Sequence, residues 1–332
     1  MRALNICRRL TLFASSVAFA LVSFSALAQP PTIDRVVIFG ASLSDSGNSF
    51  IWLSDPANQA CGTPLNVPPY DALDDLAVPD GPYAKGGHHF TNGATWAEGM
   101  ARHLALAGNA RPAFASPGTQ ASNYAVGGAR AVAGYPCRFN LPSQVSTYLA
   151  DFPQTSAGTW IAMEIGGNDV RDALVAAAMG QNPAPYIQNA LASVGNSVGT
   201  LYAYGARKFL LLNVPDVGKT PAVRRLGPAA VAAGNILSVQ YDSNLALLSQ
   251  QLMQLLPGSD IRILDIYATL NNIVASPGTY GFANVTDACV TPNQPPFQCT
   301  KPDTYVFWDG IHPTKAVHEM VAQQAVAVIS AP

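Results

Sequence analysis

The sequence predicts an α/β fold built on a mostly parallel central sheet with helices on both faces. Short apolar runs alternate along the chain with longer segments whose apolar residues recur three and four positions apart. The first pattern is typical of buried strands and the second of amphipathic helices. Strands that alternate with helices produce parallel sheets, because each helix carries the chain back to the edge where the next strand begins.

The predicted elements follow one another in chain order. Buried strands are predicted at 35–39, 160–165, 209–214 and 261–266, with a weaker candidate at 122–126. Helices are predicted at 94–106, 170–179, 187–204, 229–256 and 314–329. Ligands of such folds bind beyond the carboxyl ends of the strands, so the turns that follow the first two strands are candidate sites.

Residues 1–28 have the features of a cleavable secretory signal peptide. Three arginines form a basic start, an apolar run follows at 10–24, and small residues precede a cleavage position after Ala28. A membrane span needs about 20 apolar residues, so we expect no stable membrane anchor. The mature protein is expected to span 29–332 as a single domain, in the periplasm or outside the cell.

Charge argues against nucleic-acid partners. The whole chain has a formal net charge of −2, and loss of the three arginines in 1–28 lowers this charge to −5. A mildly acidic surface does not attract nucleic acid or anionic membranes through long-range electrostatics. The sequence makes no prediction for the oligomeric state.

Four cysteines remain after removal of the signal peptide, and in an oxidising compartment they allow three pairings. We favour a disulfide between Cys289 and Cys299, which bracket a proline-rich loop. Elimination then pairs Cys61 with Cys137. Zinc binding is the alternative, but no C-x-x-C pair and no spaced histidine pair supports it.

The segment 49–90 departs from the strand-helix pattern. It is rich in proline, glycine and aspartate and also carries large apolar residues, so it is predicted to be an insertion packed near the site. His88 and His89 could meet its aspartates at a metal ion. Their spacing fits no standard metal site, so we predict no metal and no cofactor.

Two segments at opposite ends of the chain suggest nucleophilic catalysis. Ser42 follows a predicted strand and a glycine, an arrangement that exposes a hydroxyl at a strand-to-helix turn. Asp309 and His312 lie three residues apart in one loop, where a carboxylate can orient an imidazole that acts as a base. Each segment alone also fits an ordinary helix cap or polar turn.

Two further turns offer hydrogen-bond donors for a developing oxyanion. Asn168 follows the second predicted strand, and its amide group can donate to such an oxygen. Gly127 and Gly128 have no side chains to block a close approach of their backbone N–H groups. Taken singly, both segments also fit ordinary turns.

Together these segments resemble the four sequence blocks of the SGNH hydrolases, the lipases and esterases also called the GDSL family. The blocks centre on Ser, Gly, Asn and His, and they match FGASLSDSGN, NYAVGGA, IGGND and FWDGIHPT in the family's order. The HFTNGATW and NVPDVG segments are also similar to family segments. The resemblance covers nearly the whole mature chain.

The resemblance implies a flavodoxin-like three-layer α/β/α sandwich and a secreted serine esterase or lipase that forms an acyl-enzyme intermediate. It implies that Ser42, Asp309 and His312 are the catalytic triad. Ser42, Gly128 and Asn168 would form the oxyanion hole, although Gly127 is adjacent and the choice between the two glycines stays open. The implied substrate is a small-molecule or lipid ester.

One position departs from the family pattern. Ala41 stands where the family has an aspartate that braces the turn, which puts the rigidity of the turn in question. An acyltransferase or a carbohydrate O-acetyl esterase could use the same machinery. A binding protein that lost its activity through Ala41 is a further alternative, but the retained Ser42, Asn168 and His312 argue against it.

Overall fold

The computed structural model describes residues 33–61, 89–291 and 294–331. The predicted signal peptide and most of the predicted insertion, including His88, lie outside the described residues. Among the described helices, none combines the length and the apolar character that crossing a bilayer requires.

Four parallel strands form the central sheet, in the order β1-β2-β3-β4. They are β1 at Arg35–Gly40, β2 at Thr159–Glu164, β3 at Lys208–Leu212 and β4 at Asp260–Leu264. Val37 lies opposite Ile161 in the register of β1 and β2, and Ala162 lies opposite Leu210 in that of β2 and β3. The predicted strands are confirmed, with bounds that differ by no more than two residues.

The weaker strand candidate at 122–126 pairs with β1 but does not form a regular strand. The Ile38 N–H donates to the Ser122 carbonyl at 2.9 Å, and the Tyr124 N–H donates to the Ile38 carbonyl at 2.7 Å. Only Asn123 forms a bridge with β1, and its Oδ1 accepts the N–H of Ala125 within the same segment at 3.0 Å. The prediction of a regular strand at 122–126 was therefore wrong, although the segment lies along the outer edge of β1.

Nine helices occur among the described residues. They are α1 at Asn48–Ser54, α2 at Trp96–His103, α3 at Leu141–Asp151, α4 at Gly167–Ala178, α5 at Ala184–Ala203, α6 at Pro221–Arg224, α7 at Pro228–Leu255, α8 at Ile266–Ala275 and α9 at Lys315–Ser330. Five of them confirm predicted helices. The sequence analysis had not predicted the other four, α1, α3, α6 and α8, which are among the shorter helices.

Alternate residues of the strands pack against helices on opposite faces of the sheet. Val37, Ile161 and Phe209 share a core with α3, α4, α5 and α7. Val36 and Leu210 share a second core with α2, α8 and α9. This alternation follows from the two-residue period of a strand, and it produces the three-layer α/β/α sandwich that the sequence analysis predicted.

A small second sheet and two disulfides organise the remaining chain. Strand β5 at Asn284–Ala288 pairs in parallel with β6 at Tyr305–Phe307, directly before the loop that carries His312. Cys289 is bonded to Cys299, and Cys61 is bonded to Cys137. The structure thus confirms the disulfide pairing that was favoured from the sequence.

The two disulfides are expected to stabilise the protein unequally. Cys61–Cys137 joins residues 76 apart, whereas Cys289–Cys299 joins residues 10 apart. In the chain-entropy account, replacing the first pair by serines lowers the free energy of unfolding by about 4 kcal/mol and replacing the second by about 3 kcal/mol. Urea denaturation of both double variants checks this order. A larger loss for the short loop would contradict the entropic account.

Candidate active site

Gly40, at the end of β1, is held tightly before the turn that carries Ser42. The Gln144 side chain accepts the Gly40 N–H and donates to the Gly40 carbonyl, both at 2.9 Å. A Cβ atom at Gly40 would collide with the Glu164 carbonyl of β2. The close approach of the two strands therefore requires glycine at this position. Ser42 follows two residues later and is partly exposed.

The buried carboxylate of Asp45 organises the chain that follows Ser42. It accepts the N–H groups of Gly47 and Asn48 at 2.7 Å and that of Ser49 at 3.1 Å. It also accepts the N–H of Gly127 at 2.8 Å, from a loop that is 82 residues away in sequence. Asp45 thus joins the turn of Ser42 to the glycine loop.

Ser42, His312 and Asp309 form a continuous hydrogen-bonded chain. The Ser42 Oγ lies 2.8 Å from the His312 Nε2, and the His312 Nδ1 lies 2.6 Å from the Asp309 Oδ2. Asp309 and His312 are buried, whereas Ser42 is partly exposed. The structure brings together these three predicted residues from opposite ends of the sequence.

The loop that carries Asp309 and His312 is held at several points. The Asp309 Oδ1 accepts the N–H groups of Ile311 at 2.7 Å and His312 at 2.6 Å. The Trp308 N–H donates to the His312 carbonyl, and the Ala222 N–H of α6 donates to the Gly310 carbonyl. These contacts fix the orientation of the carboxylate toward the imidazole.

The two adjacent glycines have different hydrogen-bonding states. The Gly127 N–H is engaged by Asp45, and a Cβ atom at this position would collide with the Phe90 ring. Among the described residues, none accepts a hydrogen bond from the N–H of Gly128 or from that of Ser42. Gly128 has a φ of +73°, a conformation that favours glycine. Of the two glycines, Gly128 therefore has the N–H that can donate to a ligand.

Asn168 lies in the first turn of α4, next to the same loop. Its Nδ2 donates to the Ala129 carbonyl at 2.9 Å. An amide nitrogen carries two hydrogens, so this contact orients the group and leaves a second donor. Gly166, just before the helix, has a φ of +116°, and a Cβ atom there would collide with the Tyr241 ring.

Two further contacts fasten α4 to the glycine loop. Asp169 accepts the Ala131 N–H at 3.0 Å, and Arg130 pairs with Asp172 through two hydrogen bonds at 2.8 and 2.9 Å. Burial raises the pKa of Asp169 to about 7. With the contact of Asn168, these bonds fix the position of the amide relative to Gly128.

Comparisons with known proteins identify the family of the chain. A sequence model of the GDSL-like lipase/acylhydrolase family matches residues 36–325. The chain belongs to this family. It is therefore a carboxylic ester hydrolase, and its fold is the SGNH hydrolase fold that the sequence analysis expected.

Individual relatives extend over most of the chain. A GDSL esterase/lipase of Arabidopsis thaliana is 26% identical over 92% of this chain and 94% of its own length. The thermolabile hemolysin of Vibrio parahaemolyticus is 26% identical over 95% of this chain and 69% of its own length. A crystal structure of an extracellular lipase from Streptomyces rimosus aligns over 88% of this chain and 97% of its own, with a TM-score of 0.39 and 14% identity.

Ala41, the departure from the GDSL pattern, is buried, and its N–H donates to the Glu164 carbonyl at 3.1 Å. Sequence reasoning missed the residues that brace the turn in this chain. The Ser44 hydroxyl donates to the Glu164 carboxyl group at 3.0 Å and accepts the indole N–H of Trp96 at 2.9 Å. With Gln144 and Asp45, this buried network holds the turn without a carboxylate at position 41. A polar residue inside an apolar strand was the one signal that pointed to Glu164.

The described histidines outside the final loop have protein partners. His89 lies 2.7 Å from Glu98, and His103 lies 2.7 Å from Glu319. The His318 Nδ1 accepts the Trp96 N–H, and burial lowers the pKa of His318 to about 3. Within the described ranges, no cluster of three or more metal-binding side chains could hold a metal ion.

The Glu164 carboxyl group is expected to make stability depend on pH. Burial raises its pKa from the ordinary value of 4.5 to about 7. The unfolded chain releases this proton first, so the contribution of Glu164 to stability is greatest below pH 4.5 and falls as the pH rises through 7. Glu164→Gln keeps an acceptor for Ser44 and removes the ionisation. Relative to this variant, the wild type should lose about 3 kcal/mol between pH 4 and pH 8.

Urea denaturation at both pH values measures this difference. Asp287→Asn, at an exposed aspartate of β5, provides the control, since ionisation of an exposed carboxylate has little effect on stability. Parallel stability profiles for the wild type and Glu164→Gln would show that Glu164 is not responsible.

Proposed function

We propose that the protein is a secreted serine esterase in which Ser42, His312 and Asp309 form a catalytic triad. The observation that carries this proposal is the unbroken chain from the Ser42 Oγ through the His312 imidazole to the Asp309 carboxylate. A serine hydroxyl is a weak nucleophile until a base removes its proton, and the 2.8 Å contact places His312 for that task. The partial exposure of Ser42 leaves it accessible to substrate.

Asp309 orients the imidazole and stabilises its positive charge. Its Oδ2 holds the Nδ1 side of the ring, so that Nε2 is the nitrogen that faces Ser42. Its other oxygen is occupied by two backbone N–H groups, which prevent the carboxylate from rotating. A neutral His312 therefore carries its proton on Nδ1 and accepts the Ser42 proton at Nε2.

The oxyanion hole consists of the N–H groups of Ser42 and Gly128 and the Asn168 amide. All three residues are partly exposed at the carboxyl edge of the sheet. The engagement of Gly127 by Asp45 supports the assignment of Gly128. Donors that are fixed before the reaction stabilise the developing negative charge without reorganisation.

The reaction proceeds in two halves. Ser42 loses its proton to His312 and attacks the ester carbonyl carbon, giving a tetrahedral intermediate whose oxyanion lies among the three donors. The carbon–oxygen bond to the alcohol breaks, and His312 returns the proton to the leaving alcohol. Water then attacks the acyl-enzyme with His312 as base, which releases the carboxylic acid and regenerates Ser42.

Secretion is part of the same proposal. Residues 1–28 have the composition of a signal peptide, with cleavage after Ala28. The two disulfides support an oxidising compartment, since such bonds are rare in reducing cytosol. The mature enzyme would work in the periplasm or outside the cell.

Ser42→Ala is expected to abolish esterase activity, because it removes the hydroxyl that His312 activates to form the acyl-enzyme. Turnover of p-nitrophenyl butyrate should fall by about 10⁴-fold or more, and labelling by a fluorophosphonate probe should disappear. Ser54→Ala, at an exposed serine of α1, serves as the matched control and should behave as the wild type. Undiminished labelling of Ser42→Ala would refute the assignment of the nucleophile.

Asn168→Ala is expected to lower kcat by about 10² to 10³-fold with little change in KM, because the amide acts on the transition state. Steady-state kinetics with the same ester measure both constants. Asn189→Ala, at an exposed asparagine of α5, provides the control. Equal kcat values for Asn168→Ala and the wild type would remove Asn168 from the oxyanion hole.

A further inference from the structure

A short segment that precedes α2 lies beside the loop of the proposed base. The segment comprises residues 89–96, with the sequence HFTNGATW, and it follows the course of residues 312–318. Three hydrogen bonds between the two segments join residues that are 222 or 223 apart in sequence. This nearly constant separation means that the two segments run side by side in the same direction.

Phe90 packs against a face of the imidazole of the proposed base. The ring centroids of Phe90 and His312 are 5.4 Å apart, with an angle of 36° between the ring planes. This separation is within the range of rings in contact. The hydrogen bond to Asp309 holds one edge of the imidazole and neither of its faces. Contact with a face limits the tilt of the ring, which would move Nε2 away from Ser42.

The tip of the Phe90 ring rests on the glycine loop. A Cβ atom at Gly127 would collide with the Cζ and Cε2 atoms of this ring. The position of Gly127 is itself fixed, because its N–H donates to Asp45 at 2.8 Å. Phe90 therefore fills the space between the glycine loop and the imidazole of His312. In an interior that is closely packed, a ring held in this way has little room to move.

Two hydrogen bonds hold the backbone that follows His312. The Thr91 hydroxyl donates to the Pro313 carbonyl at 2.9 Å, and the Lys315 N–H donates to the Asn92 Oδ1 at 2.8 Å. Thr91 is fully buried, so loss of its hydroxyl would leave the bond to Pro313 without a ready replacement from water. The segment thus fixes the carboxyl side of the base as well as its ring.

The same segment also contacts the turn of the nucleophile. The backbone N–H of Trp96 donates to the Nδ1 of His318 at 3.1 Å, and its indole N–H donates to the Ser44 Oγ at 2.9 Å. Ser44 lies two residues after Ser42. One stretch of eight residues therefore touches the loops of both proposed catalytic partners, which come from opposite ends of the chain.

We propose that Phe90 and Thr91 are positioning residues of the esterase, which hold the His312 imidazole in the orientation that its proton transfers require. The inference rests on the proposed function, in which Nε2 accepts the Ser42 proton and later returns it to the leaving alcohol. Both transfers need the same ring orientation. Phe90 is 3% exposed and Thr91 is fully buried, so neither touches the substrate and both act through His312. Asp309 selects the tautomer, whereas Phe90 and Thr91 fix the plane and position of the ring.

Fluorophosphonate labelling tests Phe90, because it measures a rate and an extent separately. The extent counts the folded sites, whereas the rate depends on how well His312 removes the Ser42 proton. Phe90→Leu keeps an apolar side chain and loses the flat ring. We expect complete labelling at a rate lowered by about tenfold or more, since misplacement of a catalytic group by about 1 Å can cost about 100-fold. The kcat for p-nitrophenyl butyrate should fall in parallel, with little change in KM.

Phe152→Leu provides the matched control for the loss of a ring. The Phe152 and Tyr148 rings are 5.5 Å apart at 35°, nearly the geometry of the Phe90 contact. The Arg35 guanidinium, at the start of β1, lies over the Phe152 ring, so this contact is at the end of the sheet opposite to the site. Phe152→Leu should label at the rate of the wild type. A reduced extent with an unchanged rate in Phe90→Leu would mean that Phe90 serves folding alone, and it would overturn the inference.

Thr91→Val and Thr91→Ser separate the hydroxyl from the shape of the side chain. Thr91→Val should lower the labelling rate several-fold at full extent, whereas Thr91→Ser keeps the donor to Pro313 and should restore most of the rate. Thr159→Val is the control, because it removes a buried hydroxyl at the start of β2 that lies 2.9 Å from the Ser156 Oγ. Its rate should equal that of the wild type. Failure of Thr91→Ser to restore the rate would overturn the inference for Thr91.

The wild type separates failure of this inference from failure of the proposed function. Absence of both ester turnover and fluorophosphonate labelling in the wild type would refute the serine esterase itself. An active wild type whose labelling rate is shared by Phe90→Leu and Thr91→Val would overturn this inference and leave the esterase proposal intact.

Discussion

The buried carboxylate of Asp45 is the interaction on which the site depends most. It binds the backbone of the turn after Ser42 and, from the other side, the Gly127 N–H. Burial raises the pKa of Asp45, and the hydrogen bonds that it accepts from Ser49 and three backbone N–H groups act against this effect. One side chain therefore sets the distance between the proposed nucleophile and the proposed oxyanion glycine. It also occupies one of the two adjacent glycine N–H groups, so that Gly128 is the one left to bind a ligand.

The remaining parts of the site are held against this centre by independent contacts. Helix α4 is fastened to the glycine loop through Asn168, Asp169 and Asp172, which bond to three successive residues of that loop. The loop of His312 is held by its own aspartate and by α6. Because each donor has a fixed position before substrate binds, little reorganisation is needed when charge develops.

This concentration of polar groups at the sheet edge has a cost in stability. Burial raises the pKa values of Glu164, Asp169 and Asp242 to about 7, so at neutral pH their ionisation opposes folding. Two of the three carboxyl groups accept backbone N–H groups, and Glu164 accepts the Ser44 hydroxyl. Groups that position a site are commonly retained despite such a cost. The two disulfides offset part of it by restricting the unfolded chain.

The sequence by itself determined the layer architecture, the strands and the family, because apolar periodicity and short motifs are local properties of the chain. It also indicated the segments that would meet at one sheet edge, including the loop of His312, which lies 270 residues from Ser42. Only the tertiary structure distinguished Gly127 from Gly128, explained Glu164 and revealed the brace from Gln144 to Gly40, 104 residues away. These features depend on side chains from distant segments that meet only after folding, and no local pattern encodes such contacts.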